Sequence, residues 1–312
     1  STIGLGDNAT ELLNLNNTEL AYINHAGNYF ASIVIGDSVS GVGVINYSPG
    51  ITITYGSNLT LQQSGGGITV NNSITTTGTQ TYTGAVSLAA DTTLSTTNSA
   101  VLFSSTIDNA SVTPRALTIS TGSGNVTLTG AIGNGANGAI GALRINSTGT
   151  STLGSLVKAA SLITNAGGTT EINGGVITTS GVQTYNDRVN LGATTTLTAS
   201  SITTASGVLM YAAGNNLTLT TDALALGYYT GGGDAGALVI QPRTSGTTIA
   251  IGSSATGTLS LSDTELGYLN AGFRTITIGS TTGTGSIGIN YSAASFTFDN
   301  ALVLRSDSGN IT

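Results

Sequence analysis

Thr18-Glu19-Leu20-Ala21-Tyr22-Ile23-Asn24 returns near the other end of the chain as Thr264-Glu265-Leu266-Gly267-Tyr268-Leu269-Asn270. It does not return alone. Ile3-Gly4-Leu5-Gly6 is matched by Ile249-Ala250-Ile251-Gly252, Ile45-Asn46-Tyr47-Ser48 by Ile289-Asn290-Tyr291-Ser292, and Leu59-Thr60-Leu61 by Leu302-Val303-Leu304. The spacing starts at 246 residues and settles at 243 to 244, so residues 3–61 match 249–304 with gaps of one or two residues. A repeat of about 245 residues in a chain of 312 is a window on a longer array. Such arrays stack unit upon unit instead of closing into a globule.

Shorter repeats lie inside the long one. Ile74-Thr75-Thr76-Thr77-Gly78-Thr79-Gln80-Thr81-Tyr82 reappears as Ile177-Thr178-Thr179-Ser180-Gly181-Val182-Gln183-Thr184-Tyr185, an offset of 103 that Val86/Val189 and Leu88/Leu191 also keep. Leu226-Gly227-Tyr228 followed by Leu238-Val239-Ile240 is answered about 40 residues on by Leu266-Gly267-Tyr268 and Ile276-Thr277-Ile278. That interval suits two coils of roughly 20 residues each.

The apolar residues between the turns alternate. Ile51-Thr52-Ile53-Thr54-Tyr55, Leu217-Thr218-Leu219-Thr220 and Leu259-Ser260-Leu261 all have period two, which puts Ile and Leu on one face of a strand and Thr or Ser on the other. Thr is β-branched and fits a pleated surface even when exposed. Glycine, 45 of 312 residues, gathers with Asn and Asp between the runs, where turns need it. Charged residues are only 7% of the chain, yet 39% are hydrophobic, so the low charge does not signal disorder. No stretch reads as a helix: residues 10–22 and 155–164 are taken as strand or turn. Short strands at this density build a sandwich, a barrel or a solenoid, and the nested repeats select the solenoid. The expected fold is all-β: a right-handed parallel β-helix of roughly 15 coils, continuous over residues 1–312 as one segment, with an open strand edge at each end.

The unit Leu-x-Leu-x-x-Thr-Glu-Leu-x-Tyr, followed by Ile-x-Ile-Gly and a Gly-x-Ile strand, resembles a repeat of the filamentous-haemagglutinin-type proteins. So does Gly174 to Asp187 with the following Val189-Asn190-Leu191-Gly192-Ala193. The resemblance covers nearly the whole chain. It implies a very large secreted or cell-surface bacterial protein of the two-partner-secretion type, a right-handed β-helix acting as adhesin or filament. Neither that family's amino-terminal secretion domain nor a carboxy-terminal effector domain is evident, so a segment from the middle of a longer polypeptide is expected. No basic and apolar leader and no run of 18 apolar residues occurs, and cysteine is absent. An extracellular or cell-surface location follows from the resemblance.

Residues with chemistry to offer are few and scattered. His25 is the one histidine, and its counterpart region Asn270-Ala271-Gly272 lacks one, so it reads as a turn or surface residue. Glu19 and Glu265 are repeat-equivalent, which favours a turn-capping carboxylate over a calcium ligand or a paired acid. Gly231-Gly232-Gly233-Asp234 approaches a calcium-binding nonapeptide only once and reads as a turn. Lys158 and six arginines are dispersed singly, and Asp187-Arg188, the closest acid–base couple, is expected to be a surface ion pair at a turn. No catalytic, metal or cofactor residue is assigned, and the chain is read as not an enzyme. A net charge of −7 opposes phosphate and anionic-membrane binding. Of the tyrosines, the equivalent pairs Tyr22/Tyr268, Tyr47/Tyr291 and Tyr82/Tyr185 are expected to face inward as spacers. Tyr228 and Tyr229, beside the glycine cluster, are the candidate surface-binding loop. The sequons at Asn8, Asn58, Asn109, Asn125 and Asn216 are no more than composition supplies.

The expected function is therefore structural: a stalk or filament segment of a large surface protein, supporting adhesion or surface coverage. Its partners would be neighbouring coils, lateral copies of itself, and host-cell or glycan surfaces. Two alternatives stand beside it, a filament subunit joined end to end by strand pairing and a glycan-binding module using exposed tyrosines.

Overall fold

A computed structural model describes residues 2–23, 30–205, 207, 209–230, 235–269, 272–291, 298 and 301–312. These form two compact units, Ser1–Ala160 with Thr164–Gly168 and Ser161–Ile163 with Thr169–Thr312. Both are parallel β-helices.

In the first unit one coil is three short strands joined by turns. Ile68–Val70, Ile74–Thr76 and Gln80–Thr83 follow one another, and the next strand, Val86–Leu88, lies back on the first with Val86 beside Ile68. Leu94 then falls beside Ile74 and Val101 beside Gln80. The pairings among the described residues are parallel, as they must be when the chain circles in one sense. The burial alternation is nearly strict: Ile68 and Val70 face in while Thr69 faces out, and Leu59, Leu61 and Gln63 face in while Thr60 and Gln62 do not. Coil length varies, from 18 residues between register partners Ile68 and Val86 and 26 between Ser120 and Asn146 to 42 between Ile3 and Ile45. The extra length sits in corners, so the inward register survives.

The second unit uses the same plan. Thr169–Ile172, Val176–Thr179 and Val182–Tyr185 lead to Arg188–Leu191, which pairs with Thr169–Ile172. Leu197, Leu219, Ile240, Ile278 and Leu304 stack in register, and Leu197, Leu219, Ile240 and Ile278 are fully buried. Each such side chain contributes about 1.5–3 kcal/mol by leaving water.

The long repeat is a repeat of pairings as well as letters. Ile3 and Leu5 pair with Leu13 and Leu15, and Ile249 and Ile251 with Leu259 and Leu261. Ile33 and Ile35 pair with Leu59 and Leu61, and Ile276 and Ile278 with Leu302 and Leu304. Gly36 (φ 96°) and Gly279 (φ 99°) end the equivalent strands, where an added Cβ would lie 2.1 Å and 2.0 Å from the carbonyl oxygens of Gln62 and Arg305. The letter match fails at one place. Ile3 pairs with Ile45, but Ile249 pairs with Ile287 and not with Ile289. The Ile-Asn-Tyr motif has slid by two residues, so that Ile289 pairs with Ile251 where Tyr47 pairs with Leu5, and Ile289 is left exposed.

The expectation of no helix is corrected. Asn17–Ile23 is a helix, α1, and Asp263–Tyr268 is a second, α2. The residues were seen as repeat-equivalent, but their helical start signal was passed over. Ser262 caps α2 and Glu265, three residues on, returns the bond to the cap amide, a capping box. In α1 Asn16 and Glu19 make the same two bonds, each at 2.9 Å. Residues 155–164 are strand as expected, within Val157–Thr164.

Candidate functional site

The residues singled out by repetition come together as scaffold. In Thr-x-Gly-x-Gln-Thr-Tyr the glutamine lies inside the core. Gln80 Nε2 donates to the carbonyl oxygens of Ile74 (3.1 Å) and, one coil on, Ser95 (2.9 Å), while its Oε1 accepts from the Tyr82 hydroxyl at 2.9 Å. Gln183 repeats this with Ile177 (3.2 Å), Thr198 (2.9 Å) and the Tyr185 hydroxyl (3.1 Å). Thr76 and Thr179 close the preceding corner by donating to the carbonyls of Gly78 and Gly181. Tyr82 stacks on Phe103 at 4.5 Å between ring centres. Each amide thus ties two coils through a fully satisfied buried network, the form in which a buried polar group is tolerated.

The inward expectation for tyrosine holds for Tyr82, Tyr185 and Tyr47, all buried, and fails for Tyr22, which is exposed. Tyr291 is only part-buried, a result of the two-residue slip that sets Ile289 where Tyr47 stands. Tyr55 and Tyr229 also lie in the core. Burial pushes the Tyr55 hydroxyl up to about 12 and raises those of Tyr47, Tyr82, Tyr185 and Tyr229, so all five stay neutral at ordinary pH.

Tyr228 and Tyr229 do not form a protruding loop. They belong to the strand Tyr228–Thr230, which pairs with Leu209–Tyr211. Period two turns Tyr229 inward and leaves Tyr228 part-exposed. The glycine cluster 231–234 and His25 lie outside the described residues. Asp187 and Arg188 diverge. The carboxylate turns inward and accepts the Thr170 hydroxyl at 3.0 and 3.1 Å, while the guanidinium donates to Asn190 at 2.8 Å and sits 5.8 Å above the Tyr211 ring. Asp187 lies in the bend before the strand that Arg188 opens, and the two side chains leave the corner on opposite sides.

Sequence reasoning passed over a set of inter-coil staples. Asn58, Asn98, Asn125 and Asn216 each accept, through Oδ1, a backbone N–H one coil later: Thr79, Ser123, Thr150 and Ala237, at 2.8 to 3.0 Å. Asp91, Asp108 and Asp222 do the same toward Ala116, Gly135 and Arg243. Their signal is Asn or Asp recurring beside the strand starts: Asp91, Asn125, Asn216 and Asp222 each stand one residue before a strand, and Asn58 opens one. Asp222 also takes Thr244 and Thr247. Partial burial opposes its charge, but the hydrogen bonds from Thr244, Thr247 and Arg243 outweigh that and hold its carboxyl below the usual range. Of the sequon asparagines named above, Asn58, Asn125 and Asn216 are such staples, Asn109 is buried with both ends of its amide bonded, and Asn8 is exposed.

Among the described residues no group of three or more His, Cys, Asp or Glu is placed to hold a metal ion, and no helix is long and apolar enough to cross a membrane. No protein-family model, curated protein or solved structure matches the chain.

Proposed function

We propose that the chain is a structural, non-enzymatic stretch of a β-helical stalk or filament in a large secreted or cell-surface bacterial protein, where it supports adhesion or surface coverage. One observation carries this reading. The repeated core glutamines Gln80 and Gln183, and the Asn and Asp staples, are used to join coil to coil instead of converging on a cleft. Parallel ladders over an apolar column resist bending, and an outer face of Thr, Ser and Asn with little charge keeps the surface wet without strong repulsion between neighbouring rods. The end-to-end subunit is the second reading, favoured by apolar side chains left in water on the first coil, among them Leu13 and Val34. The glycan module draws less support, because five of the ten described tyrosines are in the core.

The test is an antibody against this chain used on fractionated source cells. The stalk reading expects the signal in the surface or secreted fraction, on a polypeptide far above 30.8 kDa. A surface band near that mass favours the end-to-end subunit. A cytosolic location is incompatible with both.

A further inference from the structure

The two copies of the long repeat share their internal pairings but not their coverage. In the second copy the strand Phe273–Gly279 is paired on both edges, with Ala301–Arg305 on one side and Gly236–Gln241 on the other. In the first copy the equivalent strand, Ser32–Asp37, pairs with Asn58–Gln63 and, among the described residues, with no strand on its other edge. The side chains follow. Phe273 is 0% exposed and its counterpart Phe30 56%; Leu259 is 0% and Leu13 54%; Thr277 is 8% and Val34 56%. The glutamates follow too. In α2 Glu265 Oε2 serves the cap while Oε1 accepts the Leu226 N–H at 3.0 Å. In α1 Glu19 Oε2 serves the cap, and among the described residues no amide reaches Oε1.

What covers the second copy, among the described residues, lies in 223–230 and 235–241. Ala223–Ala225 packs on Leu259–Leu261, Tyr228–Thr230 packs on α2 with Tyr229 bridged to Leu269, and Gly236–Gln241 runs beside Phe273–Gly279. We infer that the surface formed by Leu13, Glu19, Phe30, Val34 and the open edge of Ser32–Asp37 is a docking face for one more coil of the 223–241 kind, supplied by a further repeat of the same polypeptide. This rests on the stalk reading and names the partner of its first coil. The coil is recognised by three features: a Leu-x-Ile strand in register with Ile33 and Ile35, a glycine beside Phe30 as Gly236 stands beside Phe273, and a free N–H at the Leu226 position for Glu19. A second copy of this chain does not supply it. Its own 236–241 strand already has both edges paired, with Leu217–Thr220 and with Phe273–Gly279.

Because Ile3 is equivalent to Ile249, a duplicate of residues 206–246 placed directly before Ser1 reproduces the spacing of the second copy. The full chain is compared with and without this extension by hydrogen exchange, a hydrophobic-surface dye and sedimentation. The expected result is amide exchange across Ser32–Asp37 slowed by about a hundredfold, since an edge opens at little cost and a covered strand does not, together with loss of dye binding. A duplicate carrying Leu238→Asp and Ile240→Asp is expected to protect nothing. The inference is overturned if Ser32–Asp37 exchanges equally fast in the extended chain, whether or not the added segment is itself protected. It is also overturned if the unextended chain already sediments as an oligomer with those amides slow, because a second copy then occupies the face. Neither failure alters the mass and location that test the stalk reading.

Discussion

The described parts of the first 63 residues and the last 64 follow one plan, apart from the two-residue slip of Ile-Asn-Tyr, in two surroundings. Pairings, the glycines at positive φ and the capping boxes recur, and even a small reciprocal lock does. Asp7 and Asn17 exchange backbone and side-chain bonds, as Ser253 and Asp263 do. What differs is the neighbour. Coils of a solenoid are made by local rules, but each is stabilised by the coil beside it, so identical sequence features carry different energies at the two places.

Truncating the equivalent phenylalanines gives the largest contrast. Phe273→Ala should cost about 3–5 kcal/mol, the usual range for a buried aromatic, whereas Phe30→Ala should stay within about 0.5 kcal/mol, as exposed positions do. Urea unfolding of the two variants measures this, and equal losses would break the comparison. The glutamates come next. Glu265→Ala removes a cap return and strands the Leu226 N–H, for about 2 kcal/mol, while Glu19→Ala removes only the cap, for about 0.5–1 kcal/mol. Extending the chain as above should raise the Glu19 value toward that of Glu265.

A smaller difference lies inside the helices, where α2 has Gly267 and α1 has Ala21. A Cβ on Gly267 would meet nothing within 4 Å. Gly267→Ala should therefore stabilise by about 0.5–1 kcal/mol, and Ala21→Gly should destabilise by a like amount; a loss on Gly267→Ala would mean the glycine serves a packing role. The smallest effect is local and pH-dependent. Asp37, where the second copy has Ser280, accepts the Ser40 hydroxyl and the N–H groups of Val39 and Ser40, which lower its pKa. A carboxylate depressed on folding contributes stability that is complete above its unfolded value and lost as pH falls through the folded one. Exchange at Val39 and Ser40 should quicken below a pH of about 4, while Thr282, bonded to the Ser280 hydroxyl, should not respond. A parallel response at both turns would show that something other than Asp37 titrates.

The sequence laid out the coil because the coil is a local object. Period two in Leu217-Thr218-Leu219-Thr220 is enough to say which side faces in, and the Gln-Thr-Tyr recurrence was enough to mark a repeated corner. The short helices are not legible from periodicity, since seven and six residues make less than two turns and only the caps at Glu19 and Glu265 announce them. Tyr228 and Tyr229 were misplaced because a glycine cluster drew the eye to a loop, while the alternation that buries Tyr229 depends on where the strand begins.

Composition, alternation and nested repetition, then, determined by themselves that this chain is a parallel β-solenoid with an uncharged polar face. Only the tertiary structure decided which copy of each repeated residue is buried, that Ile-Asn-Tyr slips by two, and that asparagines fasten one coil to the next. The physical reason is distance along the chain. A residue's facing within its own strand is set by its immediate neighbours, but its coverage is set by a coil that lies 18 residues away between Ile68 and Val86 and 38 between Leu238 and Ile276, and its register depends on corner lengths that no local pattern encodes.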